Sequence, residues 1–235
     1  ASGRAFGRFQ RLLGGYPAKT LHETIPNFHN TEDRLAKFKA ALAADPLGRA
    51  KDCQQEIDFV LAREKDCSVA LDAMRAGKLP LRVTHNDTKL NNVLMDEETR
   101  EGVCIIDLDT VMPGLVIYDF GDSIRFGANH SAEDEKDLSK VNLDVDLFSV
   151  YTAAFLEGAG GSLTNEEIEY LPWGAKLMTL ECGIRFLTDY LDGDHYFHIS
   201  REAQNLDRSR TQFKLVSDME AHWAELEAIV RQYQK

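Results

Sequence analysis

The sequence predicts an α+β fold that is mostly helical and contains one short β-hairpin. Apolar residues recur at helical spacing along most of the 235 residues. Two short, largely apolar runs, 92–95 and 103–106, flank a polar turn at 96–102, as the strands of a hairpin do. Because the sequence has no internal repeat, low-complexity segment or interdomain linker, we expect a single domain over residues 1–235.

The composition is typical of a soluble globular protein, with 43% hydrophobic and 28% charged residues. No apolar run approaches the roughly 20 residues that span a bilayer, and no apolar segment after residue 4 indicates a signal peptide. The formal net charge of -12 argues against nucleic acid or an anionic membrane as a partner. The four scattered cysteines form no CxxC pair, which predicts reduced thiols in a cytoplasmic protein.

The first third of the chain predicts three helices and a short strand. A helix over 5–13 is indicated by Phe6, Phe9, Leu12 and Leu13. Asn30 or Thr31 is expected to cap a helix that ends near residue 44. A long helix is predicted from about 52 to 75, with Gly77 as its stop. A short strand at 79–83 follows it.

The rest of the chain predicts further helices, of which the first begins near Asp119. The second covers 143–157, faces inward through Leu147, Val150, Tyr151, Ala154 and Phe155, and stops at Gly158. Thr164–Glu167 is a capping box, and Pro172 is expected to separate the short helix behind it from one over 173–191. A last helix is predicted over 206–233.

The polar residues just before the hairpin have the spacing of a kinase-type active site. His85, Asp87, Lys89 and Asn92 form an H-x-D-x-K-x-x-N pattern, and a second acid, Asp107, ends an apolar strand twenty residues beyond Asp87. Each feature alone is common by chance. Their agreement in order and spacing predicts phosphoryl transfer.

The predicted hairpin brings two oxygen ligands together. The start of its first strand and the end of its second lie at the same end, so Asn92 and Asp107 should converge. Two protein oxygens suit Mg²⁺, which completes its octahedron with phosphates and water. Asp109 lies two residues further on. In an extended segment it would face the same side and join the metal site, or else be a solvated or capping carboxylate.

The same residues suggest distinct roles. Asp87 can accept a proton from an attacking hydroxyl, and Lys89 can place positive charge beside the transferred phosphoryl group. His85, kept among the catalytic candidates, suits a structural hydrogen bond in the loop better than the role of base. We expect Asp119 or Asp122 to satisfy backbone donors of this loop rather than to do chemistry.

Two other polar segments leave fewer conclusions. Asn27, His29 and Asn30 lie on a loop and suit either turn and capping chemistry or contact with a substrate. The acid-rich turn at 192–195 lacks the twelve-residue calcium pattern. His195 and His198 lack the helical setting of a metal pair.

With these residues placed, the chain resembles the C-terminal lobe of the aminoglycoside phosphotransferase-like kinases, which are relatives of the protein kinases. The resemblance runs along the whole chain and is sharpest over 84–126. Within that group it is most similar to N-acetylhexosamine 1-kinases, through the segments 85–94, 106–114, 118–125, 186–194 and 205–213.

The resemblance implies residue roles and a reaction. Asp87 would be the catalytic base, Asn92 and Asp107 the Mg²⁺ ligands, and Lys89 a neighbour of the γ-phosphate of ATP. The family reaction would move that phosphate to the anomeric hydroxyl of N-acetylglucosamine or N-acetylgalactosamine. Catalysis would then be positioning and charge stabilisation.

The chain departs from the family in one large respect. Family members carry an N-terminal lobe with a phosphate-covering loop and a nucleotide lysine, whereas neither a glycine-rich loop nor a V-A-I-K-like strand is found in these 235 residues. We therefore expect a fragment that binds ATP weakly and turns over negligibly alone. Choline, homoserine or an aminoglycoside remain alternative acceptors, and an inactive kinase-like binding module remains an alternative of another class.

Overall fold

The computed structural model describes residues 1–234, and ten α-helices dominate this part of the chain. They are α1 (Ser2–Leu13), α2 (Thr31–Ala44), α3 (Gln54–Ala62), α4 (Val69–Arg75), α5 (Val116–Gly127), α6 (Val145–Ala159), α7 (Asn165–Glu169), α8 (Leu171–Asp192), α9 (Gln204–Ala221) and α10 (Trp223–Arg231). Four short strands accompany them, so the mostly helical α+β class is confirmed. No helix within 1–234 has the length and apolar character needed to cross a membrane.

The strands form two separate two-stranded antiparallel sheets. Strands β2 (Val93–Met95) and β3 (Gly102–Ile105) form the predicted hairpin, with Val93 opposite Ile105. Strands β1 (Arg82–Thr84) and β4 (Met112–Gly114) pair with Thr84 opposite Met112, which the sequence did not predict. This second sheet joins the segment before His85 to the segment after Asp107, so the two ends of the polar motif are held close together.

Helix α8 lies between two hydrophobic clusters and is buried along most of its length. One cluster includes Ile117 and Phe120 of α5, and the other includes Phe38 of α2. Pro172 occupies the first turn of α8, where its missing N–H costs no hydrogen bond, and the capping box starts the short α7 before it. These predictions are confirmed, and α8 is the helix against which α2, α5 and α9 pack.

Helices α5 and α8 approach so closely that two glycines face each other. A Cβ atom on Gly121 would lie 2.1 Å from the carbonyl oxygen of Gly174, and one on Gly174 would lie 2.1 Å from the carbonyl oxygen of Ile117. Neither contact can be relieved by a side-chain rotation, because both involve backbone atoms.

We expect Gly121→Ala to lower the free energy of unfolding by about 1–3 kcal/mol or more, because the two helix backbones would have to separate. Gly127 ends the same helix, and a Cβ atom there would meet no neighbour within 4 Å, so Gly127→Ala is the matched control. Because alanine has a higher helix propensity than glycine, Gly127→Ala should leave the free energy of unfolding unchanged or raise it slightly. Urea unfolding followed by circular dichroism would compare the two variants, and equal losses would contradict the close approach.

The predicted helix over 52–75 is wrong as a single element. It is broken by a 3-10 segment, Glu64–Ser68, between α3 and α4. At the break, Arg63 stacks on Phe59 and makes a paired ion contact with Glu220 of α9, with Nη2 2.6 Å from Oε2. Tertiary contacts therefore override the helical pattern at this point.

The predicted last helix, 206–233, is also wrong as one element, since it breaks at His222. The break lets Trp223 pack edge-on against Trp173 of α8, with ring centroids 5.0 Å apart. The side chains of Leu226 and Val230 are then buried against the core.

Two further predictions are corrected where α1 packs on α6. Helix α6 ends one residue beyond Gly158, and Leu147 and Val150 are 37% and 66% exposed rather than inward. Leu12 of α1 is exposed as well. The buried face of α6 is instead marked by Phe148, Phe155 and Gly158, because the backbone of α1 lies directly against that glycine.

Candidate active site

Two acids of α5 accept hydrogen bonds from the backbone of residues 84–92, which we call the motif loop. The Asp119 carboxylate accepts the backbone N–H groups of His85 and Asn86 at 2.9 and 2.8 Å, and the amide of Gln10 at 2.7 Å. Asp122 accepts the backbone N–H of Thr88 at 3.0 Å. Both acids thus satisfy loop donors, as predicted. The expected helix start at Asp119 is wrong, since α5 begins three residues earlier.

Asp87, Lys89 and Asn92 converge within the motif loop. Lys89 Nζ lies 2.9 Å from Asp87 Oδ2, and Asn92 Nδ2 donates to the same oxygen at 3.0 Å and to the Asp87 carbonyl at 2.8 Å. The hydrogen bond to Asp87 raises the pKa of Lys89, with help from the charges of Asp87, Asp107 and Asp122 and against partial burial. Lys89 is therefore a stable cation beside a carboxylate that still has Oδ1 available.

Asn92 and Asp107 lie at the same end of the hairpin. The N–H of Ile106 donates to the carbonyl of Asn92 at 3.0 Å, which fixes the two segments together. Since the amide nitrogen of Asn92 is directed at Asp87, its Oδ1 is the atom left for a cation. Asp107 is exposed and has a left-handed backbone, with φ of 61°.

This donor set fits Mg²⁺ better than a metal with a full protein cage. Residues 1–234 contain no group of three or more His, Cys, Asp or Glu arranged to hold a metal. One amide oxygen and one carboxylate suit an ion that keeps waters and takes its remaining ligands from phosphates.

The reason for including Asp109 in the metal site does not hold. Residues 108–110 form a 3-10 turn rather than an extended segment, so alternate side chains need not face the same side. The carbonyl of Asp109 accepts the hydroxyl of Thr24 at 3.2 Å. A metal role for Asp109 stays a prediction without this geometric support.

His85 is a buried link rather than an accessible group. Its Nε2 lies 2.9 Å from the carbonyl of Ile106, and the N–H of Asp87 donates to its Nδ1 at 3.3 Å. The edge of its ring packs against Phe6, with centroids 5.6 Å apart. Because both nitrogens are engaged, His85 can position Asp87 and Asp107 but has no contact with a substrate.

The residues of the polar loop that precedes α2 have two different roles. Asn30 caps α2 by accepting the N–H of Asp33 at 3.0 Å, and Asn27 accepts the amide of Asn30 at 3.1 Å. His29 instead reaches the motif loop, where its Nε2 lies 3.0 Å from the carbonyl of Asn86. Capping therefore accounts for the two asparagines and leaves the histidine to a different role.

One cation next to this loop was missed by sequence reasoning. Arg185 of α8 is half-buried and lies over the rings of Phe28, Tyr196 and Phe197 at 6.0, 5.7 and 5.3 Å. In the described part of the chain it makes no hydrogen bond or ion pair. Phe28 packs on His29 with centroids 4.5 Å apart, and His29 in turn contacts the motif loop through the carbonyl of Asn86. No sequence signal marks it, because its aromatic neighbours come from distant segments.

Comparison with known families assigns the chain to a class of protein. A model of the phosphotransferase enzyme family (APH) matches residues 1–147, which is more than half of the chain. The chain belongs to this family, and it is therefore a phosphotransferase of the small-molecule kinase type. Members of the family generally use ATP and Mg²⁺.

Proposed function

We propose that the chain is the catalytic lobe of an ATP-dependent kinase that phosphorylates the anomeric hydroxyl of N-acetylhexosamines. The observation that carries this proposal is the cluster of Asp87, Lys89 and Asn92 beside Asp107. The acceptor oxygen bonds to the γ-phosphorus as the bond to the β–γ bridging oxygen breaks. ADP leaves with that electron pair, and the hydroxyl proton passes to Asp87 Oδ1.

The cations and metal ligands have separate tasks in this proposal. Lys89 stabilises negative charge on the transferred phosphoryl group. Asn92 Oδ1 and Asp107 would hold Mg²⁺, which neutralises charge on the phosphates when bound. Asp109 would lie outside this ligand pair. The hairpin also supports a nucleotide site, because Leu94, two residues beyond Asn92, is 50% exposed and offers an apolar surface for a purine.

We propose further that a nucleotide-binding lobe completes the site. One wall of the nucleotide cleft, with its phosphate-covering loop and lysine, would come from that lobe. The 235-residue chain alone is then expected to release no ADP above background with Mg-ATP and any acceptor. Coupled ADP detection would test this, and turnover of 1 s⁻¹ or more, within the range of about 1–100 s⁻¹ typical of kinases, would contradict it.

Arg185 supports a neutral, oxygen-rich acceptor. Arg185 has no ion-pair partner among residues 1–234, so its guanidinium can donate to sugar hydroxyl or acetamide oxygens, and the exposed Tyr196 ring offers an apolar face to the sugar. Choline and aminoglycosides carry positive charge and would meet the guanidinium of Arg185, whereas the charge of Lys89 is already paired with Asp87 at 2.9 Å. Homoserine is disfavoured less, because its carboxylate could pair with Arg185.

Arg185→Met is expected to raise the acceptor KM by roughly 10–100-fold, since hydrogen bonds to a charged group contribute about 1.5–3 kcal/mol. The KM for ATP should not change. Arg231→Met on the surface of α10 is the matched control, because within residues 1–234 the ion-pair partner of Arg231 is Glu227 of the same helix. An unchanged acceptor KM in Arg185→Met would remove this arginine from the acceptor site.

The reaction itself is tested by ADP release from the chain joined to its nucleotide-binding lobe. The acceptors would be N-acetylglucosamine, N-acetylgalactosamine, galactose, choline, homoserine and kanamycin. Signal with the N-acetylhexosamines alone supports the proposal. Signal with another acceptor keeps the mechanism and replaces the substrate, whereas silence with all six favours the inactive binding module.

A further inference from the structure

A buried ion pair contacts the main chain immediately before Asp87. His29 Nδ1 lies 2.9 Å from Glu181 Oε1, and His29 Nε2 lies 3.0 Å from the carbonyl oxygen of Asn86. The two side chains are only 11% and 2% exposed. The carbonyl of Asn86 can only accept, and an ionised Glu181 can only accept, so beside a charged Glu181 both ring nitrogens donate and the ring is an imidazolium. The second oxygen of Glu181 accepts the hydroxyl of Thr31 at 2.8 Å.

We propose that His29 is a cationic positioning residue, which holds the carbonyl of Asn86 and thereby the direction of the Asp87 side chain. This inference rests on the proposed function, since it names Asp87 as the base. His29 itself touches none of Asp87, Lys89, Asn92 and Asp107, and its contact with the motif loop is through Asn86.

Asn86 is the residue through which such control is exerted. Its φ of 66° lies in the left-handed region, which asparagine adopts more readily than most residues with a side chain. Asp119 binds its N–H at 2.8 Å, and its side chain donates to the carbonyl of Thr110 at 2.8 Å. His29 binds the remaining main-chain group, the carbonyl oxygen. Beside an ionised Glu181, a neutral ring can donate from only one nitrogen, so it would leave either Glu181 or the Asn86 carbonyl without its donor.

The charges around the imidazole ring of His29 favour its protonated state. Burial alone would lower the pKa of His29, but the charge and hydrogen bond of Glu181, the Asn86 carbonyl and the charge of Asp122 outweigh it and raise that pKa. Burial likewise opposes ionisation of Glu181, but His29, Arg185 and Thr31 hold its pKa below the ordinary value. Tyr118 also packs on the ring, with centroids 5.4 Å apart, and burial raises its own pKa, so it stays neutral.

The contact between the His29 imidazolium and Asn86 is expected to depend on pH. The imidazolium is fully present below the ordinary histidine pKa of about 6.5 and is lost as pH rises through the raised value. The hold on Asn86 should therefore weaken on the alkaline side.

Nitrogen NMR of the imidazole in the 235-residue chain tests the charge directly. We expect both His29 nitrogens to remain protonated above pH 6.5, and Glu181→Gln to shift the titration to lower pH. In His29→Gln, the backbone amide signals of Asn86 and Asp87 should move. His130→Gln is the matched control, because His130 pairs with Asp144 at 2.8 Å on the surface, and its loss should leave those signals unchanged.

Kinetics of the chain joined to its nucleotide-binding lobe test the positioning. We expect His29→Gln to lower kcat at least tenfold with the KM for ATP unchanged, and the alkaline limb of the kcat profile to follow the titration of His29. A neutral His29 at pH 6.5, or unchanged amide signals and kcat in His29→Gln, would overturn the inference. A wild-type protein that phosphorylates no acceptor would instead refute the proposed function, while the NMR result would still decide whether His29 holds Asn86.

Discussion

Replacing Asp87 with asparagine is expected to lower kcat by about 10²–10⁴-fold, because a positioned general base contributes a factor of this size. Asparagine has nearly the same volume but cannot take up the proton of the acceptor hydroxyl. The substitution also removes the ion pair with Lys89, which spans 2.9 Å. That pair is partly exposed, so its loss should change the free energy of unfolding by less than about 1 kcal/mol.

The measurement is single-turnover phosphoryl transfer in the chain joined to the proposed nucleotide-binding lobe, with urea unfolding run in parallel. Asp96→Asn is the matched control. Asp96 lies at the turn of the same hairpin and accepts the N–H of Thr99 at 2.7 Å, so that variant removes an acid without touching the motif loop. Transfer by Asp87→Asn within threefold of the wild-type rate would show that Asp87 is not the base.

The local part of the site could be predicted because it is contiguous in sequence. Hairpin pairing depends on two short strands and the turn between them, so the placement of Asn92 and Asp107 at one end followed from spacing alone. The supporting acids of α5 were also predictable, since buried loop N–H groups need acceptors and the nearest acids are Asp119 and Asp122.

The remaining parts of the fold and the site depend on tertiary contacts, which a helical pattern in the sequence does not indicate. Periodicity indicates which face of a helix is buried, but it does not identify what covers that face. The pairing of His29 with Glu181 joins residues 152 positions apart, and Arg185 meets Phe28 across a similar separation. The helix breaks near Arg63 and His222 have the same origin, because each is fixed by packing against another helix.

Asp109 shows the opposite failure, in which a local rule was applied to the wrong backbone. Alternation of side chains holds for extended chain, and the residues after β3 were assumed to be extended. The left-handed Asp107 and the 3-10 turn behind it rotate the chain instead. A left-handed residue other than glycine carries no clear sequence signal, so this turn could not have been predicted.

Asp119→Asn is expected to lower the free energy of unfolding by about 1–3 kcal/mol, because it breaks a buried hydrogen-bond network and leaves its partners unsatisfied. The carboxylate is fully buried and accepts hydrogen bonds from His85, Asn86 and Gln10. Asparagine retains one acceptor oxygen, and its NH₂ group would face an N–H donor. The loss should therefore fall first on the motif loop and then on the whole domain.

Hydrogen exchange distinguishes local opening of the motif loop from unfolding of the whole domain. The amides of His85 and Asn86 should exchange faster in Asp119→Asn even under conditions where the remaining core stays protected. Asp58→Asn on the exposed side of α3 is the matched control, since Asp58 accepts only the amide of Gln54 at 2.8 Å and should change stability by a few tenths of a kcal/mol. If Asp119→Asn unfolded at the wild-type urea midpoint with unchanged protection of both loop amides, the carboxylate would not be what fixes the loop. The geometry of Asp87 would then have to depend on the carbonyl side of Asn86 alone, where His29 is bound.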